Sequence, residues 1–191
     1  MSQYSDLQIV IYSGSEKKPK DILEHVRTRF GLNISPLRLS FVRLESGGKS
    51  LKPDNYPSFT MLWQALASIA VAFEALMTCP CDIFIDTMGI GYAYPFVKLF
   101  FGVKIFSYTH YPLVSYDMMR DVIRNVAQFN NRKEIAESKI KSNIKQVYYV
   151  LLTYIYSFCG WVATDQIATN SSWTNNHILE LWRKPEKTKI M

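Results

Sequence analysis

Short apolar runs alternate with stretches of helical period along this chain, and that pattern predicts an α/β protein built on a parallel sheet with helices on both faces. Two further observations point the same way. Cys81 to Pro112 reads as strand, loop, short helix and strand, so little chain that a compact parallel unit is the natural solution. Proline opens and glycine closes two of the helical stretches, at Pro19 and Gly31 and again at Pro95 and Gly102. With 191 residues, 48% hydrophobic and 20% charged, the chain can fill a core and does not read as disordered.

The elements follow in order. Leu7 to Tyr12 is the first strand, starting so close to Met1 that a preceding segment is expected. In the helix opened by Pro19, Ile22, Leu23, Val26 and Phe30 share a face. Leu37 to Val42 is the second strand. Residues 45–57, rich in glycine, proline and charge, read as a solvated loop rather than an interdomain linker. Phe59 to Met77 is a helix apolar almost all round, with Glu74 its only charge, as in helices that are buried or touch lipid. Ile83 to Ile85, bracketed by Asp82 and Asp86, suits a strand buried on both faces. Gly89 and Gly91 break the chain before a helix carrying Phe96, Val97, Leu99 and Phe100, and Val103 to Tyr108 is the next strand. Ser115 is placed to cap a helix in which Met119, Val122, Ile123 and Val126 recur at helical spacing. Asp165 to Thr169 is a last short strand. Ser171 or Ser172 then caps a helix lined by Ile178, Leu181 and Trp182, which Pro185 would end before a polar, basic tail.

The formal net charge is +6, with the basic excess densest at 132–145 and 183–189. No nucleic-acid-binding motif accompanies it, so no nucleic-acid partner is expected. A basic run bordering an apolar segment suits an anionic membrane surface instead. Residues 147–163 hold no charge and sit at the lower limit for a span. Lys139, Lys141 and Lys145 ahead of Tyr148, Tyr149, Tyr154 and Tyr156 predict a helix resting in a membrane interface without crossing it, the alternative being a core helix. Cys79, Cys81 and Cys159 suit a reducing compartment and lack a metal-ligand spacing, so no metal site is expected. Asn33-Ile34-Ser35 and Asn170-Ser171-Ser172 match the glycosylation triplet, which is short enough to arise by chance. Residues 1–8 are polar and do not read as a signal peptide.

Parallel sheets hold ligands beyond the carboxyl ends of their strands, which is where His110 falls. It sits between Tyr108 and Tyr111, with Pro112 stiffening the turn. There an imidazole can donate to a developing anion or exchange a proton near neutral pH; the bland alternative is a structural histidine. His25 and His177 read as surface or packing residues. Gly89-Ile90-Gly91 is no dinucleotide fingerprint, because Tyr94 occupies the third glycine's place. Asp82 and Asp86 read as solvated or capping groups.

Several runs carry a resemblance: Tyr56-Pro57, Phe59-Thr60 and Gln64; Glu74-Ala75-Leu76-Met77; Asp86-Thr87-Met88-Gly89; Pro95 and Lys98; Ser107-Tyr108 and His110-Tyr111-Pro112; Asp117-Met118; Phe129-Asn130-Asn131; and Asn170-Ser171-Ser172-Trp173-Thr174 with Asn176-His177-Ile178-Leu179. With these the chain resembles, over nearly its whole length, the α-1,2-mannosyltransferases of dolichol-linked N-glycan assembly in glycosyltransferase family 4. The resemblance implies a Rossmann-like domain, the N-terminal, acceptor-side half of a GT-B fold. It also implies metal-independent, retaining transfer from GDP-mannose to a dolichol-diphosphate-linked oligosaccharide on the cytosolic face of the endoplasmic reticulum membrane. No cofactor beyond the donor substrate is implied, and other mannosyltransferases of the pathway are implied as further partners. His110 would be the catalytic residue beside the reacting sugar, with Asp86, Met88, Gly89, Tyr108, Tyr111 and Pro112 forming the acceptor-side or structural loops. Such proteins open with an anchor, a first strand and a glycine-rich loop and continue into a donor-binding domain. Residues 1–191 are therefore expected to be an incomplete N-terminal domain, inactive alone. A non-catalytic module that binds membrane or acceptor lipid is the competing reading.

Overall fold

A computed structural model describes residues 7–35, 38–115, 120 and 139–191. The chain forms parallel sheets surrounded by helices, a Rossmann-like α/β arrangement, and packs as two units, Met1–Pro80 and Cys81–Met191. There are two sheets rather than one: β1 with β2 in the first unit, and four strands in the second.

In the first unit β1 (Ile9–Ser13) runs parallel to β2 (Leu39–Arg43), with Ile9 opposite Leu39 and Ser13 opposite Arg43. Leu37, expected to start the second strand, lies outside the described residues. A parallel pair needs a crossover, and α1 (Pro19–Phe30) supplies it. Proline stands in its first turn and Gly31 closes it at φ 67°, a left-handed backbone that costs glycine little. Residues 45–57 are not wholly irregular, since they hold a single helical turn, α2 (Gly47–Ser50), and a 3-10 turn at Pro53–Asn55. The reason lies on α3 (Thr60–Thr78). Its Glu74 carboxylate accepts the backbone N–H groups of Glu45, at 2.6 Å, and Ser46, and its Gln64 amide donates to the Leu51 carbonyl at 2.9 Å. The one charge of an otherwise apolar helix thus holds the loop. α3 buries Ala65, Ser68, Ala72, Ala75 and Leu76 at helical spacing and exposes Trp63, Leu66 and Met77. Among the described residues it is the one helix long and apolar enough to cross a bilayer, by length and composition alone.

The second unit is a parallel sheet in chain order: β3 (Ile83–Asp86), β4 (Lys104–Thr109), β5 (Gln166–Thr169) and β6 (Thr188–Ile190). The helices are α4 (Tyr94–Phe101), α5 (Lys139–Ala163) and α6 (Ser172–Trp182). β6 corrects the reading of 183–191 as a polar tail. Thr188 to Ile190 is too short and too charged to show a period, yet it pairs with Ile167 to Thr169. β3 is corrected as well. It is an edge strand, and Ile83 and Ile85 are 53% and 59% exposed, so it is not buried on both faces. The helix expected after Ser115 and the basic residues from 132 to 138 fall outside the described residues.

The core of this unit centres on Trp182, fully buried with Tyr94, Val97, Tyr156 and Ile178. The Trp182 ring lies 5.9 Å from that of Tyr94 and 5.4 Å from that of Tyr156. Gly160 of α5 makes this approach possible, because a Cβ there would stand 2.2 Å from the indole. Two lysines close the C-terminus of α5. Lys98 donates to the Ala163 carbonyl at 3.1 Å and pairs with Asp165 at 2.6 Å, while Lys184 donates to the Thr164 carbonyl at 2.6 Å. Cations at a helix C-terminus are favoured by its dipole. Burial nevertheless draws the Lys184 pKa down, with the charges of Lys187 and Lys98 adding to it.

Candidate functional site

The carboxyl ends of β3, β4 and β5 bring the loops 87–90, 110–115 and 170–171 to one edge of the second sheet. Asp86 ends β3 and organises the first loop. One carboxylate oxygen accepts from the Met88 N–H at 2.7 Å, and the other from the Ile90 N–H at 3.0 Å and the Tyr94 hydroxyl at 2.7 Å. The Tyr94 hydroxyl lies 2.9 Å from Ser107 Oγ, which is 3.1 Å from Thr109 Oγ1, so a polar chain runs under the edge from β3 to β4. Burial and then the Asp86 charge push the Tyr94 pKa well up, keeping it a donor. Gly89 sits at φ 71° with room for no side chain: a Cβ would meet Thr109 Cγ2 at 2.9 Å. Its carbonyl takes the Tyr156 hydroxyl at 2.8 Å. Met88 projects from this locked loop, 66% exposed.

The second loop carries His110 and Tyr111 outward and tucks Pro112 inward. The His110 ring meets the Tyr108 ring edge-on at 4.6 Å. Its backbone is tied to the next helix, since Thr174 Oγ1 lies 2.9 Å from the His110 carbonyl and from Asn170 Oδ1. Ser171 is the N-cap of α6, its hydroxyl accepting the Thr174 N–H at 3.2 Å. Tyr111 stacks on Trp173 at 5.0 Å, and Trp173 lies 4.0 Å from His177. The runs His110-Tyr111-Pro112 and Asn170 to Thr174, far apart in the chain, therefore form one structure. Thr174 is the residue that composition and spacing could not single out as their link. Ser171 is legible as a helix cap, but what the Thr174 hydroxyl reaches depends on the fold.

This edge presents an exposed imidazole on an anchored loop, beside aromatic rings and over a base of buried hydroxyls. A concavity of about 940 Å³ opens elsewhere, in the first unit where β1 and β2 end, lined by Ser15, Glu16, Arg43, Lys49 and Lys52 among others. It holds no histidine, and its Arg43–Glu16 pair at 3.7 Å is solvent-exposed, so the edge bearing His110 is the better candidate for chemistry. Among the described residues no group of three His, Cys, Asp or Glu side chains could hold a metal.

The tyrosines read as membrane contacts divide between two faces of α5. Tyr149 and Tyr156 are 4% and 0% exposed, in the core with Leu152, so neither can touch lipid. The cause is the helical period, which sets residues seven apart on one face. Tyr154 faces outward, Tyr148 is half-buried, and Lys145 lies 5.6 Å over the Tyr149 ring. Lys139 and Lys141 belong to the first turn of α5. The outer face is instead Val147, Leu151, Tyr154, Phe158 and Trp161, all more than half exposed.

A known family, described as ALG11 mannosyltransferase N-terminus, matches residues 1–182. The chain belongs to this family. It is 38% identical over 193 residues to the GDP-Man:Man(3)GlcNAc(2)-PP-Dol alpha-1,2-mannosyltransferase of Xenopus tropicalis, covering 99% of this chain and 38% of that protein. The similarly named human protein is 38% identical over 192 residues, with the same coverage. That of Dictyostelium discoideum is 32% identical over 182 residues, covering 95% of this chain and 36% of the relative. The chain thus spans little more than a third of the length of these curated relatives. No solved structure matches it.

Proposed function

We propose that this chain is the acceptor-side, N-terminal half of an α-1,2-mannosyltransferase that moves mannose from GDP-mannose to a dolichol-diphosphate-linked oligosaccharide. The observation that carries this is the union of the His110 loop with the start of α6 at the carboxyl edge of the parallel sheet, in a chain whose relatives are named for that reaction. The acceptor sugar lies along this edge, with the His110 imidazole beside the reacting centre, donating a hydrogen bond to charge that develops in transfer. Transfer is metal-independent and retains configuration, and the donor is held by the part of the enzyme beyond this half. The work is done on the cytosolic face of the endoplasmic reticulum membrane, among other mannosyltransferases of the pathway. The exposed apolar outer face of α5 supports a membrane partner, and on this reading the helix rests in the interface without spanning it. That same face favours one second reading, a non-catalytic module that only holds membrane or acceptor lipid. Labelled mannose transfer onto a dolichol-linked acceptor, measured with this half in a full-length enzyme, separates the two. Product formation that His110→Ala lowers about a hundredfold supports catalysis; a full-length enzyme that makes no product leaves the binding module.

A further inference from the structure

We infer that Tyr111 is a sugar-stacking residue, held in place by Trp173, and that it receives a pyranose ring of the acceptor; this rests on the reading above that the acceptor is an oligosaccharide. One face of a hexopyranose is a patch of C–H groups while its hydroxyls ring the rim, so such a sugar is recognised by a flat apolar surface with polar groups beside it. Tyr111 offers that surface. One face of its ring is on Trp173 at 5.0 Å and 21° between planes, yet the side chain is 51% exposed, so the opposite face looks to solvent. Trp173 is itself backed by His177 at 4.0 Å.

The ring is preorganised from both of its ends. Pro112, the next residue, is buried, and the carbonyl of the preceding residue, His110, is tied to Thr174 on the helix that carries Trp173. A tyrosine has few torsions to freeze, and the Trp173 stack on an anchored backbone restrains them before a ligand arrives. Polar companions stand on the two segments that Thr174 joins. His110 is exposed beside Tyr111, and the exposed Asn170, whose Oδ1 lies 2.9 Å from Thr174 Oγ1, brings a side-chain amide able to donate to and accept from sugar hydroxyls. A phenol ring left half in water while stacked on an indole has no packing duty that would require its exposure. Trp173 does not touch the sugar in this arrangement; it is a positioning residue that sets the plane of Tyr111.

The test is a titration of the intact 191-residue chain with free mannotriose, followed by saturation-transfer NMR and by tryptophan fluorescence. The wild-type chain should bind saturably. Tyr111→Ala should weaken binding about tenfold, whereas Tyr111→Phe, which keeps the ring, should stay within about threefold. Trp173→Ala should weaken it as well, and Trp173→Phe should restore it, a rescue that loss of folding would not show. In a full-length enzyme Tyr111→Ala should raise KM for the acceptor and leave kcat little changed. Folded wild-type chain that shows no saturable binding, or Tyr111→Ala that binds like wild type, overturns the inference. The outcomes separate it from the activity: mannotriose binding through Tyr111 in a full-length enzyme that transfers no mannose removes the transferase reading alone, and full-length transfer indifferent to Tyr111 removes the stacking site alone.

Discussion

His110 is exposed, its ring meets that of Tyr108 among the described residues, and its backbone carbonyl holds the loop to α6. His110→Ala should therefore fold like wild type. In a full-length enzyme it should lower kcat and kcat/KM together by about a hundredfold, the scale for losing acid–base help or one preorganised donor. Turnover near wild type would exclude the imidazole from the reaction. Gly89 behaves oppositely, as a residue with a conformational duty. Gly89→Ala sets a Cβ 2.9 Å from the Thr109 side chain on a left-handed backbone, and should cost about 1–3 kcal/mol, read as a lower urea midpoint of the second unit. Asp165 supplies a pH dependence. Burial opposes its ionisation, but the Lys98 hydrogen bond, the Ile105 N–H and the charges of Lys98 and Lys187 outweigh it and draw its pKa down. A carboxylate depressed in the fold stabilises above its unfolded pKa, about 3.9, and loses that contribution as pH falls through the folded value. Asp165→Asn should lower stability at neutral pH and leave a shallower acid limb; an unchanged acid profile would show that the pair with Lys98 contributes nothing.

At the scale of elements, α5 joins two solvents. One face packs Tyr149, Leu152, Tyr156 and Gly160 against the core, and the other shows Val147, Leu151, Tyr154, Phe158 and Trp161. Cosedimentation with liposomes containing anionic lipid should fall strongly for Leu151→Asp with Phe158→Asp, and the pelleted fraction should drop when Lys139, Lys141 and Lys145 are replaced by Gln. Cosedimentation untouched by both sets would place the membrane contact elsewhere. Within the same helix, propensity and packing disagree at Gly160. Alanine gains about 1 kcal/mol of helix propensity, but its Cβ would stand 2.2 Å from Trp182, an overlap that shifts the central indole and typically costs more than the gain. Gly160→Ala should thus melt lower, not higher.

At the scale of the whole molecule, the proposed function makes rate depend on holding donor and acceptor together. Since this chain spans about 38% of its relatives' length, residues 1–191 by themselves are expected to transfer no mannose and to show no saturable heat with GDP-mannose in calorimetry. Micromolar binding of the donor, or any mannosylated lipid, would mean that the donor site has been misplaced.

The sequence by itself determined the parallel α/β class, most helix ends and the position of His110 beyond a strand. Those features are local: proline and glycine punctuation acts through φ, and the register of apolar residues acts through helical period. It left open what depends on contacts distant in the chain. Tyr148, Tyr149, Tyr154 and Tyr156 are alike in composition, and only the packing of α5 against Tyr94 and Trp182 separates lining from core. β6 exists because β5 offers it a backbone edge, which three residues cannot announce on their own. The site was legible as two motifs and not as one structure. Tyr111 and Trp173 meet because parallel strands β4 and β5 end side by side, and strand pairing is a property of the sheet rather than of either segment.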